Sequence, residues 1–493
     1  MNITAPNGLV VSDVAIVGDT ATGIGLVLVS GYVAATDSTA VWNTNSLMVG
    51  DDGTGRVEIT DGAFVNVDFI TGPGEGDLVI GNTVDSVGTV IVRGLGTMLR
   101  MGDDSFIGQA GTGTLVVADD GLVIGTNELG MMPDVFTVGP RGRVELDGGR
   151  LRTEAMTVNG AILGTGRIDN EMTIAISPTG RLQADVGDRL VINAVVDNDG
   201  EIMVQGGEME FLEPVTNSHA AARLTLAGGT ARFPTSGFGL DTTTGLIATT
   251  AGVNDIFGTV RLQGAGSKMV IAGESTAIFH DPVTNNGGMI QVFPGSTPIY
   301  LQGLTTMGAG SLLTVHLADP EPGLGQVEVG GAAALAGNLE VKLTAGFTPS
   351  LGDSFQILSA AGGVTGSLNL VSPPALPAGR QWDLAINPTS VVLKVVGSGD
   401  YNGDGVVDTG DYVVWRNTLG YAGTSLAADG NGNGLVDVGD YELWRRRYGT
   451  VIAPGVGASA AVPEAPSLML FAAGSSIILA WKRSRMELAR CCR

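Results

Sequence analysis

The stretch VGDDGTGRVEITDGA occupies residues 49–63. In its second half, Arg56-Val57-Glu58-Ile59-Thr60, polar and apolar residues alternate, so an extended chain turns Val57 and Ile59 to one face and the polar side chains to the other. Its first half crowds glycines around Asp51 and Asp52, the composition of a tight turn. One such unit has an apolar face and nothing to bury it against. The chain supplies neighbours of the same form: IGNTVDSVGTVIVRG from Ile80, IGQAGTGTLVVADDG from Ile107 and VGPRGRVELDGGRL from Val138. Their leading glycines, Gly50, Gly81, Gly108 and Gly139, follow one another at nearly even intervals. Further on, FLEPVTN at Phe211 recurs as FHDPVTN at Phe279, two or three more turns along the chain.

A period of roughly 20–50 residues marks a solenoid, whose units become stable only by stacking. The expected fold is mainly β: a right-handed parallel β-solenoid (β-helix) over residues 1–330, each turn giving two or three short strands with glycine at the corners. A series of β-sandwiches shares the regular strand spacing and is the alternative. From residue 331 the strands lengthen, as in GNLEVKLTAG and SVVLKVVG, and residues 331–397 are expected to form a β-rich cap over the open edge. The pattern over about residues 40–395 resembles the glycine-rich autotransporter-associated β-strand repeats of large exported bacterial proteins. That resemblance implies a passenger-like surface and no catalytic residues.

Composition narrows the function. With 26 Lys+Arg against 50 Asp+Glu the net charge is −24, which repels phosphate backbones, so no nucleic acid is expected as a partner. The two cysteines, Cys491 and Cys492, are adjacent, so no disulfide staples a domain.

Near the end of the chain, DYNGDGVVDTGD places Asp400, Asn402, Asp404, Asp408 and Asp411 at positions 1, 3, 5, 9 and 12 of a twelve-residue loop, with Gly405 at position 6. DGNGNGLVDVGD, starting at Asp429, repeats the spacing with Asp429, Asn431, Asn433, Gly434, Asp437 and Asp440. Hard calcium takes oxygen ligands, and this spacing wraps them around one ion, with a backbone carbonyl at position 7 (Val406 and Leu435) and glycine at the sharp bend. Each loop leads into a matching segment, YVVWRNTLG or YELWRRRYG. Two calcium ions are the expected cofactors. The first loop carries four carboxylates and the second three, so the first is expected to bind more tightly.

Residues 398–450 therefore resemble a type I dockerin, a small α-helical domain of two loop–helix units. The resemblance implies folding driven by calcium and, in cellulosomal relatives, docking to a cohesin-like protein. Those relatives carry Ser/Thr pairs at loop positions 10 and 11, where this chain has Thr409-Gly410 and Val438-Gly439.

After a linker at 451–461, residues 462–485 combine Val462-Pro463-Glu464, an apolar run from Leu468 to Trp481 and the basic residues Lys482, Arg483 and Arg485. In that order they resemble a PEP-CTERM sorting signal, with Ala465 interrupting the usual Pro-Glu-Pro; residues 486–493 form a tail. The resemblance implies export, an exosortase-type sorting enzyme as partner, and a transient or retained anchor in the membrane through a C-terminal hydrophobic helix. The bland alternative is an ordinary membrane tail, for which the run from Leu468 to Trp481 falls short of the ~20 residues a spanning helix needs.

No catalytic residues are assigned. His219, His280 and His316 have no metal-ligand spacing, and the pairs Asp51-Asp52, Asp103-Asp104 and Asp119-Asp120 sit beside glycine where turn-forming Asp is expected. The sequence thus reads as an exported, cell-surface or extracellular-matrix structural or adhesive protein that meets matrix polysaccharide. The competing readings are a polysaccharide lyase or glycosidase recruited to a scaffold through the dockerin-like unit, and a membrane-retained spacer without a ligand.

Overall fold

A computed structural model describes residues 1–4, 8–33, 38–67, 77–102, 104–125, 134–235, 237, 239–295, 299–303, 305–318, 326–377, 380–424 and 426–451. The chain divides into two compact units, residues 1–376 with 381–396, and residues 377–380 with 397–493.

In the first unit the strand Thr54–Thr60 has the alternation read from the sequence, with Gly55, Val57 and Ile59 buried and the residues between them turned outward. It pairs in parallel with Ile24–Ser30 on one side and Val87–Arg93 on the other, aligning Val57 with Val27 and Val90. The same column continues through Leu115, Val144, Ile162 and Leu182 and ends at Leu370. A second column stacks Val65, Leu99, Val123, Leu151 and Ile168. A third stacks Val49, Ile80, Ile107, Val138, Val158 and Ile176. The coils thus feed three parallel ladders, through separate short strands early on and through longer ones such as Ala161–Ile176, which enters all three, the pattern of a β-solenoid. The parallel pairing argues against a series of sandwiches, whose sheets are antiparallel. Buried Val, Leu and Ile fill the interior, each stabilising the stack by about 1.5–3 kcal/mol relative to exposure.

The column also measures the coils. Four long coils carry it from Val27 through Val57, Val90 and Leu115 to Val144. Eight shorter ones then carry it from Val144 through Ile162, Leu182, Ile202, Leu224, Ile247, Met269 and Ile290 to Leu313. Of the four units recognised in the sequence, the first three belong to the long coils and the fourth, which carries Val144, opens the shorter ones. An earlier member begins at Gly18, one coil before Gly50. Gly18, Gly50, Gly81 and Gly108 have φ of +79°, +70°, +72° and +73°, and a Cβ on Gly50 would lie 2.4 Å from the Val87 carbonyl of the next coil. Only glycine meets both demands. Gly139 is not in that conformation: its turn is shorter, closed by a hydrogen bond from Gly142 N–H to the Gly139 carbonyl at 2.8 Å.

The PVTN repeat has a different cause. Val215 and Val283 occupy one inward column three coils apart, and Asn217 and Asn285 are fully buried two positions further on. Asn198 Nδ2 donates to Asn217 Oδ1 at 2.9 Å, while Asn198 and Asn285 accept from the backbone N–H groups of Gly200 and Gly288. The amides of Asn198 and Asn285 thus satisfy corner backbone groups, and Asn217 links Asn198 to Thr242.

Parallel pairing does not stop at residue 331. Val327–Val329, Ala333–Leu335 and Asn338–Leu343 pair with Ser354–Ala360, Val364–Gly366 and Asn369–Val371, so the segment expected as a cap begins as a further coil. The rhythm changes because that coil, from Leu339 to Leu370, is long again. Closure comes from the antiparallel pairing of Ser354–Ala360 with Ser390–Gly397. Trp382 and Phe347 pack against Phe355 beside it.

The second unit contains two ten-residue helices, α1 (Thr409–Thr418) and α2 (Val438–Arg447), each emerging from one twelve-residue loop. Its small core is Tyr401, Trp415, Ala428 and Val436, with Tyr441 and Trp444 packed against it.

Candidate metal centre

The two loops share most of their side-chain-to-backbone hydrogen bonds, and the first adds one from Tyr401 N–H to Asp411. At position 1, Asp400 accepts the N–H groups of Gly403, Asp404 and Gly405 at 2.8, 3.1 and 2.9 Å. Asp429 accepts those of Gly432, Asn433 and Gly434 at 2.9, 3.1 and 2.8 Å. At position 3, Asn402 and Asn431 each accept the N–H two residues on at 2.9 Å. At position 5, Asp404 accepts from Val406 at 2.9 Å and Asn433 from Leu435 at 2.8 Å. Gly405 and Gly434 have φ of +88° and +80°, which gives the sharp bend before the carbonyls of Val406 and Leu435.

Positions 9 and 12 serve the helices as well as the loops. Asp408 and Asp437 are N-caps, and each forms a capping box with Asp411 or Asp440 three residues later. Asp411 and Asp440 are fully buried. Asp411 accepts the N–H groups of Tyr401, Asn402 and Asp408 at 2.6, 3.0 and 2.8 Å; Asp440 accepts those of Asn431 and Asp437 at 3.0 and 2.8 Å. The carboxyl of Asp440 is raised above its ordinary range: burial pushes it up, the Asp437 and Asn431 N–H groups pull it down, and the negative Asp429 and Asp437 push it up again. A bound cation would oppose the last of these effects.

Among the described residues, no group of three or more His, Cys, Asp or Glu is placed to hold a metal ion by itself. The loops have a mixed donor set instead: carboxylates, the amide oxygens of Asn402, Asn431 and Asn433, and a backbone carbonyl. Oxygen-only donors of this kind suit calcium, and an ionised carboxylate oxygen that accepts an N–H keeps lone-pair capacity for an ion. The chemistry of the donors therefore fits, while their negative side chains are oriented by backbone N–H groups.

Tyr401, Trp415 and Trp444 escape a reading of loop spacing, yet they join the two loops. Trp415 Nε1 donates to the Asp437 carbonyl and Trp444 Nε1 to the Asp408 carbonyl, each at 2.8 Å. The duplicated Trp, at the same place in YVVWRNTLG and YELWRRRYG, was the visible signal. Tyr401 Oη donates to the Asp440 carbonyl at 2.9 Å and lies over Gly430, where a Cβ would come within 2.4 Å of it. Burial, then the Asp440 charge, raise the Tyr401 hydroxyl, so it stays a donor.

The other candidate residues do not converge. His219 accepts from Ala221 N–H; His280 stacks on Phe257 at 3.9 Å and bonds Asp255 at 2.7 Å; His316 stacks on Phe293 and bonds Gln291. Asp51 accepts from Asn82 Nδ2 at 2.5 Å, and Asp104 from Val135 N–H at 3.1 Å. Asp119 and Asp120 have φ of +50° and +65°, a turn conformation that Asp tolerates. Asp103 lies outside the described residues, as do Val462, Pro463, Glu464, Lys482, Arg483, Arg485 and the run from Leu468 to Trp481. Among the described residues no helix is long and apolar enough to cross a membrane. No protein-family model matches the chain, and neither does any curated protein.

Proposed function

We propose that this chain is an exported, cell-surface or extracellular-matrix structural or adhesive protein: a right-handed β-solenoid presenting an acidic surface to matrix polysaccharide, joined to a dockerin-like unit that folds around two calcium ions. The observation that carries the calcium reading is the matching set of side-chain-to-backbone hydrogen bonds at positions 1, 3, 5, 9 and 12 of the two loops, which chance acidic turns would not share. Asp400, Asn402, Asp404, Val406, Asp408 and Asp411 would hold one ion, and Asp429, Asn431, Asn433, Leu435, Asp437 and Asp440 the other. A hard dication supplies charge neutralisation there, and two short helices need that help, since isolated helices below about 12–15 residues are marginal in water.

The stacked ladders support a structural role for the solenoid, because stability that accumulates coil by coil suits a long, rigid spacer. The carboxyl-terminal motif supports sorting by an exosortase-type enzyme, and the dockerin-like unit supports a cohesin-like partner. The first test is calorimetric calcium titration of the chelator-treated chain with circular dichroism. Uptake of two ions with gain of helix is expected, the first loop being the tighter; no uptake removes the dockerin-like reading. Co-sedimentation with a panel of matrix polysaccharides tests adhesion, and release of new reducing ends or unsaturated sugars from that panel would replace it with an enzymatic reading.

A further inference from the structure

The hydrogen bonds joining the two halves of the loop unit are exchanged: each half braces the loop of the other. Trp415 on α1 holds the Asp437 carbonyl, position 9 of the second loop, and Trp444 on α2 holds the Asp408 carbonyl, position 9 of the first. The backbone repeats this exchange. The segment after α1 pairs with the second loop, Gly420 N–H donating to the Val436 carbonyl at 2.8 Å and Val436 N–H to the Tyr421 carbonyl at 2.9 Å. The segment after α2 pairs with the first loop, Gly449 N–H donating to the Val407 carbonyl at 2.8 Å and Val407 N–H to the Thr450 carbonyl at 2.9 Å.

Position 9 lies between the position-7 carbonyl and the position-12 carboxylate, so its backbone path sets how those two donors face one ion. The indole N–H fixes that path from outside the loop. We infer that the two loops are mutually braced calcium sites: ordering of one half by its ion supplies the brace that the other site needs, so the ions bind with positive cooperativity. Trp444 and the residues after α2 are then positioning elements of the first site, although they follow the second loop in sequence, and Trp415 is the positioning residue of the second. This inference rests on the calcium reading.

Hydrogen–deuterium exchange of the full chain at stepped free calcium reads each loop separately, through peptides covering 400–411 and 429–440. Trp444→Phe keeps an aromatic ring for the contacts with Tyr412 and Tyr441 while removing the N–H donor with the rest of the indole. It should raise the calcium midpoint of the first loop by about 5- to 30-fold, the effect of leaving one half-buried carbonyl unpaired, and move the second loop less. Trp415→Phe should do the reverse. Helix protection at saturating calcium checks that each variant folds, and a wild-type Hill coefficient above one, falling towards one in the double variant, gives an independent readout if one does not. A larger shift in the loop preceding the altered Trp, equal or absent shifts, or independent wild-type sites would overturn the inference. Failure of the wild-type chain to take up calcium would instead remove the reading beneath it.

Discussion

The solenoid and the loop unit solve the same problem, too little core per segment, by opposite means. In the solenoid each coil borrows its neighbours: Leu115 is covered by Val90 and Val144 in adjacent rungs, and any apolar side chain of similar size fits the column. In the loop unit the buried cluster is small, Tyr401, Trp415, Ala428 and Val436, and beside it lie buried carboxylates, Asp411 and Asp440 foremost. The contrast teaches that stacking makes stability divisible, whereas the proposed calcium centre would make it all-or-none.

Chelation should separate the two regions most sharply. On treatment with a calcium chelator α1 and α2 should melt completely and residues 398–451 become protease-sensitive, while the strand signal of the solenoid in circular dichroism persists; joint melting would break the distinction. Next in size, Leu115→Ala should cost about 2–5 kcal/mol, as cavities in packed cores do. Its effect should stay local, read as lost exchange protection in the strands of Val90 and Val144 with that around Leu313 unchanged.

An acid-range effect of about 2 kcal/mol is expected at Asp169. Burial raises its carboxyl, but hydrogen bonds from Arg167, Asn193 and Arg150 outweigh burial and hold it at about 2, down from an ordinary 3.8. A depressed carboxyl stabilises the fold above its unfolded value and loses that contribution as pH falls from about 4 towards 2. Asp169→Asn should therefore flatten the stability profile of the solenoid over that interval in acid-denaturation curves, leaving the loop unit unaffected. The smallest effect belongs to the helix caps. Asp408→Ala should remove about 1 kcal/mol from the calcium-loaded loop unit, measured by urea unfolding in excess calcium, since the position-9 side chain also caps α1.

Some of this was legible and some was not. The alternation in residues 56–60 identified the inward Val57 and Ile59, and the leading glycines at 50, 81 and 108 identified corners. The coil beginning at Gly18 escaped notice because its turn, Asp19-Thr20-Ala21-Thr22, shares little with the later ones. The short coils between Val144 and Leu313 were visible only as two copies of PVTN, since inward positions accept Ile, Leu or Met alike and leave no letter-by-letter repeat. Spacing singled out the loop oxygens proposed as ligands, but not the indoles that hold position 9, because a Trp in a helix reads equally well as core.

Two local properties of the residues sufficed for the strands and the loops: a period of two, which sends alternate side chains to opposite faces, and the recurrence of Asp, Asn and Gly at fixed positions of two twelve-residue stretches. Both act within a single strand or a single loop, so neighbours in sequence are enough to reveal them. Which coil lies on which, that the solenoid runs through Val371, and that each helix braces the opposite loop were decided only in three dimensions. Those relations depend on backbone groups and turns of variable length meeting across a whole coil or a whole loop–helix unit, and a main-chain carbonyl that accepts a bond, from another strand or from an indole, leaves no trace in the identity of its own side chain.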